Sequence, residues 1–196
     1  MAETEAWIPQ AAQLCQPLPS SPLYSTPAFL FVIALPHLIY ALVWLSPKVW
    51  WGTFGKNSLP LFASVGIFGK VLQFSTMVLW LWSSQPTGLC FRQPLALWQV
   101  LLAAALIGYG QALNLGTYRA LGLAGVYYGC RLGRSVPWVK GWPFNAISHP
   151  QYVGSTMTIW GALALFHTAA PMPLSFFIGI YWTCMYIMSG YIEDTL

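Results

Sequence analysis

The fold is decided by the sequence LALWQVLLAAALIGYGQALNLGT, residues 95–117. This stretch has no charged residue, and it is long enough to cross a bilayer, which takes about 20 residues of helix. In lipid, the backbone N–H and C=O groups must be paired within the protein, so an apolar segment of this kind crosses as a helix. The stretch therefore predicts a transmembrane α-helix.

Four further apolar segments surround this stretch. Pro36 and His37 interrupt the first segment, and Lys70 lies within the second. Pro171 and Pro173 mark a turn between the last two, which are shorter and predict a helical hairpin. The four segments are residues 28–45, 60–82, about 152–166 and about 173–191. Together they predict an all-α integral membrane fold with about four to five transmembrane or membrane-embedded helices.

The composition favours the same class of protein. Apolar residues make up 57% of the chain and charged residues 6%, whereas a soluble domain carries about 25% charged residues. Residues 1–27 form a polar head without the positively charged start of a signal peptide, so we expect it to be retained. Residues 28–196 are expected to form one membrane-embedded domain. Scattered Lys and Arg residues give no support for nucleic-acid binding, and the cysteine spacing does not indicate a metal site.

The loop charges predict how the chain is oriented in the membrane. The loop between the second and third spans has only Arg92, and the head has no Lys or Arg. The first and third loops carry the other basic loop residues: Lys48, Lys56, Arg119, Arg131, Arg134 and Lys140. The positive-inside rule therefore places these two loops in the cytosol. If the final hairpin crosses twice, Glu193 and Asp194 emerge on the same side.

Glu193 and Asp194 are the leading candidates for chemistry. Apart from Glu3 and Glu5 in the head, they are the only acidic residues of the chain. Ionisable groups at a membrane are costly to keep, so each is a functional hypothesis by default. Two adjacent carboxylates can hold an ammonium group or ribose hydroxyls, or accept a proton. The alternative is a solvated pair that ends a helix in water.

A pair of glycines one residue apart lies nearer the C-terminal end of residues 95–117. The sequence there is Gly108-Tyr109-Gly110, which does not have the spacing of a GxxxG packing motif. The glycines either clear space for a flat ligand or serve helix packing.

His149-Pro150 opens the fourth apolar segment, and Tyr152 follows. Proline suits the first turn of a helix because its missing N–H costs little there. A helix that begins at Pro150 would direct unpaired N–H groups at the preceding loop, where an anionic group can bind. His149 is accordingly either a catalytic base or a hydrogen-bonded boundary residue.

A family resemblance is carried by residues 122–155, GLAGVYYGCRLGRSVPWVKGWPFNAISHPQYVGS. This stretch resembles the integral-membrane phospholipid N-methyltransferases, most closely their plant-type branch, and a weaker likeness extends from about residue 28 to 196. Gly108 and Gly110 coincide with the family's S-adenosylmethionine motif, and Glu193-Asp194 with its C-terminal Glu-Glu pair. Residues 149–154 also resemble the Arg-His-Pro-x-Tyr-x-Gly motif of the related isoprenylcysteine carboxyl methyltransferases.

The resemblance implies methyl transfer from S-adenosylmethionine to the amine of a phosphoethanolamine headgroup, giving phosphatidylcholine. It also implies a phospholipid substrate in the endoplasmic reticulum membrane, an active site that faces the cytosol, and no metal. The residues expected to bind the cofactor are Gly108, Tyr109, Gly110, Glu193 and Asp194.

The remaining roles concern catalysis and the lipid headgroup. Methyl transfer needs in-line positioning of two reactants and removal of a proton, for which Glu193, Tyr152 and His149 are the expected catalytic residues. Arg131 and Arg134 are expected to hold the lipid phosphate, since arginine binds phosphate through two parallel hydrogen bonds.

The chain departs from the related motifs at two positions. Asp194 replaces the second Glu of the pair, and Ser148 stands where the carboxyl methyltransferases have Arg, which favours the phospholipid acceptor. The alternatives are a carboxyl methyltransferase acting on prenylated cysteine, a non-enzymatic small membrane protein, and a membrane reductase. The sequence leaves open which of the three methylation steps is performed and which oligomer forms.

Overall fold

The computed structural model describes residues 16–84, 95–166 and 172–195. Every regular element in these ranges is helical, so the predicted all-α class is confirmed. The α-helices are α1 (Thr26–Leu45), α2 (Pro47–Phe54), α3 (Ser58–Ser84), α4 (Leu97–Val126), α5 (Pro150–Phe166) and α6 (Met172–Thr195). Most of the polar head, residues 1–15, and most of the predicted hairpin turn, residues 167–171, lie outside the described residues.

Several helices are long and apolar enough to cross a membrane, so the protein is a multi-pass membrane protein. The qualifying segments in the described ranges are Thr26–Leu45, Pro47–Ser84, Leu97–Val126 and Leu174–Thr195. The segment Pro47–Ser84 joins α2, which the sequence did not predict, to α3 through the short 3-10 helix Gly55–Asn57.

Helix α5 is the shorter of the two helices of the predicted hairpin. Its 17 residues span about 25 Å at 1.5 Å per residue. It nevertheless runs antiparallel to α4 as far as the first turns of that helix, where Nε2 of Gln99 donates to the carbonyl oxygen of Ala164 at 3.2 Å. The two ends of α5 therefore lie at the depths of residues near the start and the middle of α4.

Glycines bring the backbones of α4 and α5 into contact. A Cβ atom on Gly110 would lie 2.5 Å from the carbonyl oxygen of Gly154, and one on Gly161 would lie 2.7 Å from Cγ1 of Ile107. Helix association in lipid depends on van der Waals packing, and small residues allow the backbones to approach. This contact fixes the position of α5, whose first turn carries Tyr152.

Helix α4 continues past residue 117, where the apolar stretch ends, and it bends at Gly122. The backbone there has φ +63° and ψ −176°, a conformation that glycine adopts without the steric cost of a Cβ atom. Beyond the bend, the chain folds back over the end of the helices. The ring of Trp142 rests against Gly116, and the ring of Tyr128 lies 5.0 Å from that of Trp44, between centroids.

The buried side chains form two clusters. One cluster lies along the spans and includes Phe29, Trp80, Ile159, Ile178 and Trp182. The other lies where α1 ends, α3 begins and the chain leaves α4, and it includes Val43, Phe62, Val126, Tyr127, Tyr128 and Leu132. The second cluster anchors the segment after α4, and this anchoring positions Tyr128 at the candidate site.

Candidate functional site

Two tyrosine hydroxyls hold the carboxylate of Glu193. Tyr128 and Tyr152 both donate to Oε1 of Glu193, and the two hydroxyl oxygens lie 3.2 Å apart. The three side chains come from the segment after α4, the first turn of α5 and the last turns of α6. Hydrogen bonds to an ionised acceptor are roughly twice as strong as neutral ones, so this arrangement orients a carboxylate where three elements meet.

Tyr128 is held in an uncommon backbone conformation. Its φ is +54°, in the left-handed region that few non-glycine residues adopt and that is enriched at functional sites. Burial and the nearby charge of Glu193 raise the pKa of the Tyr128 hydroxyl well above its usual value. The hydroxyl therefore keeps its proton at neutral pH and acts as a donor.

His149 and Asp194 form a second contact beside the first. Nε2 of His149 lies 3.0 Å from Oδ2 of Asp194, and the imidazole stacks on the ring of Tyr152 with 5.7 Å between centroids. Asp194 is largely exposed, whereas Glu193 is half-buried. In the described part of the chain, no group of three or more His, Cys, Asp or Glu side chains is arranged to hold a metal ion.

A cavity of about 150 Å³ adjoins the Glu193 carboxylate. Its walls come from α1, α4, the segment after α4, α5 and α6, and they include the side chains of Thr117, Ser148 and Gln151. The cavity therefore offers hydroxyl and amide groups next to a carboxylate, which suits a polar ligand with positive charge.

An apolar groove of about 500 Å³ lies between α5 and α6; we call it the α5–α6 groove. Val153, Met157 and Ile187 line it, and it reaches His149 and Asp194 at one end. Val153 and Ile187 are exposed on the outer surface of the helices, where a membrane protein meets lipid tails. The groove thus extends from the lipid-facing surface to His149 and Asp194.

The two arginines predicted to hold a phosphate lie in different environments. The guanidinium of Arg131 donates to the carbonyl oxygen of Trp44, at 2.7 Å from Nη2 and 3.2 Å from Nε. It also lies over the Trp44 ring, 4.7 Å from the centroid, so this side chain ties the segment after α4 to the end of α1. Arg134 is exposed. Phosphate binding by either residue stays a prediction.

The glycine pair lies on α4, away from the carboxylate. Gly110 packs against Gly154, whereas a Cβ atom on Gly108 would meet nothing within 4 Å. Tyr109 is exposed, and none of these three residues lines the cavity beside Glu193. Their role in cofactor binding also stays a prediction.

The structure brings together Glu193, Asp194, His149 and Tyr152, four residues that the sequence singled out as candidates. Sequence reasoning missed the partnership of Tyr128 with Glu193, because the bend at Gly122 that produces it has no signal beyond one glycine among many. It also missed Tyr186, a buried aromatic in α6 whose hydroxyl contacts Lys70. A lysine inside an apolar span was the signal for that contact.

Comparisons with known proteins show what this chain is similar to. Residues 98–196 match the model of the phospholipid methyltransferase family. Phosphatidyl-N-methylethanolamine N-methyltransferase of Arabidopsis thaliana is 31% identical over 164 residues, which cover 83% of this chain and 88% of that protein. The protein of the same name from Saccharomyces cerevisiae is 41% identical over 61 residues, 31% of this chain and 30% of that one.

A third relative extends the comparison. Phosphatidylethanolamine N-methyltransferase A of Dictyostelium discoideum is 33% identical over 82 residues, which cover 41% of this chain and 38% of that protein. No solved structure matches the chain significantly. The family model and the long match to the Arabidopsis protein show that this chain belongs to the phospholipid methyltransferase family.

Proposed function

We propose that the protein transfers methyl groups from S-adenosylmethionine to the amine of phosphatidylethanolamine or its methylated forms, giving phosphatidylcholine. The observation that carries this proposal is the Glu193 carboxylate, which Tyr128 and Tyr152 orient at the wall of the cavity of about 150 Å³, while Tyr152 and Asp194 also line the α5–α6 groove. The Arabidopsis and yeast relatives are named for the monomethylated acceptor. Their names support that acceptor here.

The groove supplies a route for a lipid substrate. A phospholipid whose acyl chain lies along Val153, Met157 and Ile187 places its headgroup at the end of the groove lined by His149 and Asp194. An acyl chain in the bilayer is already out of water, so van der Waals packing against the groove walls, and not the hydrophobic effect, holds it there. The apolar walls thus bind the chain, and the polar end receives the amine.

Glu193 has one oxygen available for that amine. An amine attacks only with a free lone pair, so a lipid ammonium must first lose a proton. Both tyrosines donate to Oε1, and within the described ranges no hydrogen bond reaches Oε2. Oε2 is therefore the position that accepts an N–H of the ammonium group and takes up its proton as a general base.

The residues present fit the proposed cofactor. When bound, S-adenosylmethionine supplies an electrophilic methyl group on a positively charged sulfur. Glu193 and Asp194 provide the negative charge that such a cation requires, and they are the only carboxylate side chains among the described residues. Thr117, Ser148 and Gln151 line the adjoining cavity and offer hydrogen bonds to the polar parts of the molecule.

Label transfer from methyl-labelled S-adenosylmethionine tests the proposal. Purified protein in lipid nanodiscs should label phosphatidylethanolamine or its mono- or dimethylated form, with the monomethylated lipid best, and should not label a prenylated cysteine. Label on the prenylated cysteine alone would assign the protein to carboxyl methyl transfer. No label on any of the three lipids, although the cofactor binds, would contradict the proposed function.

We also propose that the protein lies in the endoplasmic reticulum membrane with Glu193 on the cytosolic side. The charges support this orientation. Lys48 lies just after the end of α1, and Arg131 donates to the carbonyl oxygen of Trp44 near that same end. The ring of Trp44 packs on Tyr128, which donates to Glu193. Basic residues thus surround the end of the bundle that carries the site.

Labelling of single cysteines in sealed microsomes measures the orientation. After Cys15, Cys90, Cys130 and Cys184 are replaced by Ser, Lys140→Cys and Thr195→Cys should react with an impermeant reagent added outside, whereas Ser20→Cys should react only after detergent is added. Labelling of Lys140→Cys and Thr195→Cys from opposite sides would contradict the proposed site, which needs both segments on one face.

A further inference from the structure

Lys70 is a cation near the middle of a membrane span. It lies close to the centre of α3, where charged side chains are costly and are usually functional. Its ammonium donates to the hydroxyl of Tyr186 and to Oε1 of Gln73, at 3.4 Å from the latter, and it lies 4.7 Å from the centroid of the Tyr186 ring. The side chain therefore points toward α6 and not toward lipid.

No carboxylate in the described ranges balances this charge. The one ion pair found within residues 16–84, 95–166 and 172–195 joins His149 to Asp194. His37 lies next to Tyr186, with 4.6 Å between ring centroids, and its buried Nε2 has no hydrogen-bond partner in these ranges. Among the described residues, Lys70 is half-buried without a counter-ion, and the buried ring nitrogen of His37 is unsatisfied. Both features are costly, so their proximity in one cavity wall indicates a place for a ligand.

Lys70 lines two adjoining cavities. The larger one, of about 240 Å³, is also lined by the polar side chains of Asn114, Gln151 and Ser155. The smaller one, of about 30 Å³, is lined by His37 and again by Gln151 and Ser155. The ammonium group is thus accessible to a ligand from within the bundle and is surrounded by hydrogen-bonding groups.

A row of aromatic side chains connects Lys70 to Glu193. The ring of Tyr186, which contacts Lys70, lies 5.7 Å from the ring of Tyr152, between centroids, and Tyr152 donates to Glu193. One end of the row is positive and the other is negative. A ligand that binds along the row carries an anionic group at one end and a cationic group at the other, as both reactants of the proposed reaction do.

We propose that Lys70 forms an anion-binding subsite for one of the two reactants, taking either the phosphodiester of the lipid or the carboxylate of the methyl donor. The identity of the reactants rests on the proposed function. The ammonium supplies the charge, and the Tyr186 hydroxyl, which accepts from Lys70, retains its own proton for donation to the anion. Asn114 and Gln151 offer further amide donors.

Binding measurements on Lys70→Met test the subsite. S-adenosylhomocysteine is titrated by quenching of tryptophan fluorescence, and the monomethylated lipid is counted on the protein by native mass spectrometry. Hydrogen bonds to charged groups are strong enough that we expect an affinity loss of about 10-fold or more for one of the two ligands. Lys70→Arg should recover part of the loss, and Lys48→Met, on exposed α2, should change neither affinity.

The two measurements identify the anion. If Lys70→Met weakens binding of S-adenosylhomocysteine alone, and does not weaken binding of an analogue that lacks the carboxylate, the anion is the carboxylate of the methyl donor. A loss confined to the lipid assigns the phosphodiester. Because both readouts are binding, they decide the subsite even if label transfer to the ethanolamine lipids were absent.

A structural role for Lys70 gives a different result. Lys70→Gln keeps a polar contact with Tyr186 and serves as a second neutral variant should Lys70→Met not fold. If folded neutral variants bind both ligands as tightly as the unmodified protein, or if Lys48→Met weakens binding equally, the proposed subsite is wrong.

Discussion

Glu193→Gln is expected to lower kcat/KM for methyl transfer by about 10- to 100-fold, because hydrogen bonds to charged groups contribute about 1.5–3 kcal/mol. The amide keeps the shape of the side chain, so Tyr128 and Tyr152 still find an oxygen acceptor. It loses the negative charge that attracts the cofactor and the lipid ammonium, and it cannot take up a proton. Label transfer at saturating and limiting lipid measures the loss.

Asp194 provides the matched comparison. It is exposed and its side chain contacts His149, so Asp194→Asn should cost less than Glu193→Gln, and Asp194→Glu should be tolerated. Thermal unfolding of each variant shows whether the fold is retained. If Glu193→Gln, Asp194→Asn and the double variant all keep normal turnover and cofactor affinity, the pair is only a solvated helix end, and the proposed site is wrong.

Gly110→Leu should destabilise the protein strongly. Even a Cβ atom at this position would lie 2.5 Å from the carbonyl oxygen of Gly154 and 2.8 Å from Oγ1 of Thr158. The carbonyl oxygen belongs to the backbone of α5, so it can move aside only if the whole helix shifts. Overpacking costs about 1–3 kcal/mol and sometimes more. At the upper end of that range, the midpoint of thermal unfolding should fall by about 6–12 °C.

Gly108→Leu is the control for this prediction and the cleaner test of the cofactor. Nothing lies within 4 Å of a Cβ atom at Gly108, so the unfolding midpoint should stay unchanged. If the cofactor lies against α4 as the resemblance implies, binding of S-adenosylhomocysteine should still be lost. Normal binding by Gly108→Leu would limit the glycine pair to helix packing, and an unchanged midpoint for Gly110→Leu would contradict the close α4–α5 contact.

The helical class and most of the spans follow from the sequence because apolar length is a strong signal in lipid. Pro150 was predicted to open a helix, and α5 begins there. The end of α4 was not predicted, because residues 118–126 include polar and glycine residues that interrupt the apolar run although the helix continues to Val126. Hydropathy identifies what lipid covers and does not report where backbone hydrogen bonding stops.

The site was only partly predictable for a related reason. Glu193 and Asp194 stand out because acids are rare in this chain, and Tyr152 lies in a recognisable motif. The partnership of Tyr128 with Glu193 depends on two left-handed residues, Gly122 and Tyr128 itself, which together redirect the chain after α4. Local propensities do not encode a contact between residues so far apart along the chain.

As the proposed entry route for the lipid, the α5–α6 groove also has a consequence for how the supply of substrate limits turnover. A lipid that enters through Val153 and Ile187 arrives by lateral diffusion within one leaflet and does not pass through water. The rate then depends on the mole fraction of acceptor lipid in the bilayer and not on its bulk concentration. Dilution of the acceptor with inert phospholipid, at constant total acceptor, therefore slows turnover, and a partly methylated product stays within reach of the same groove for its next methyl group.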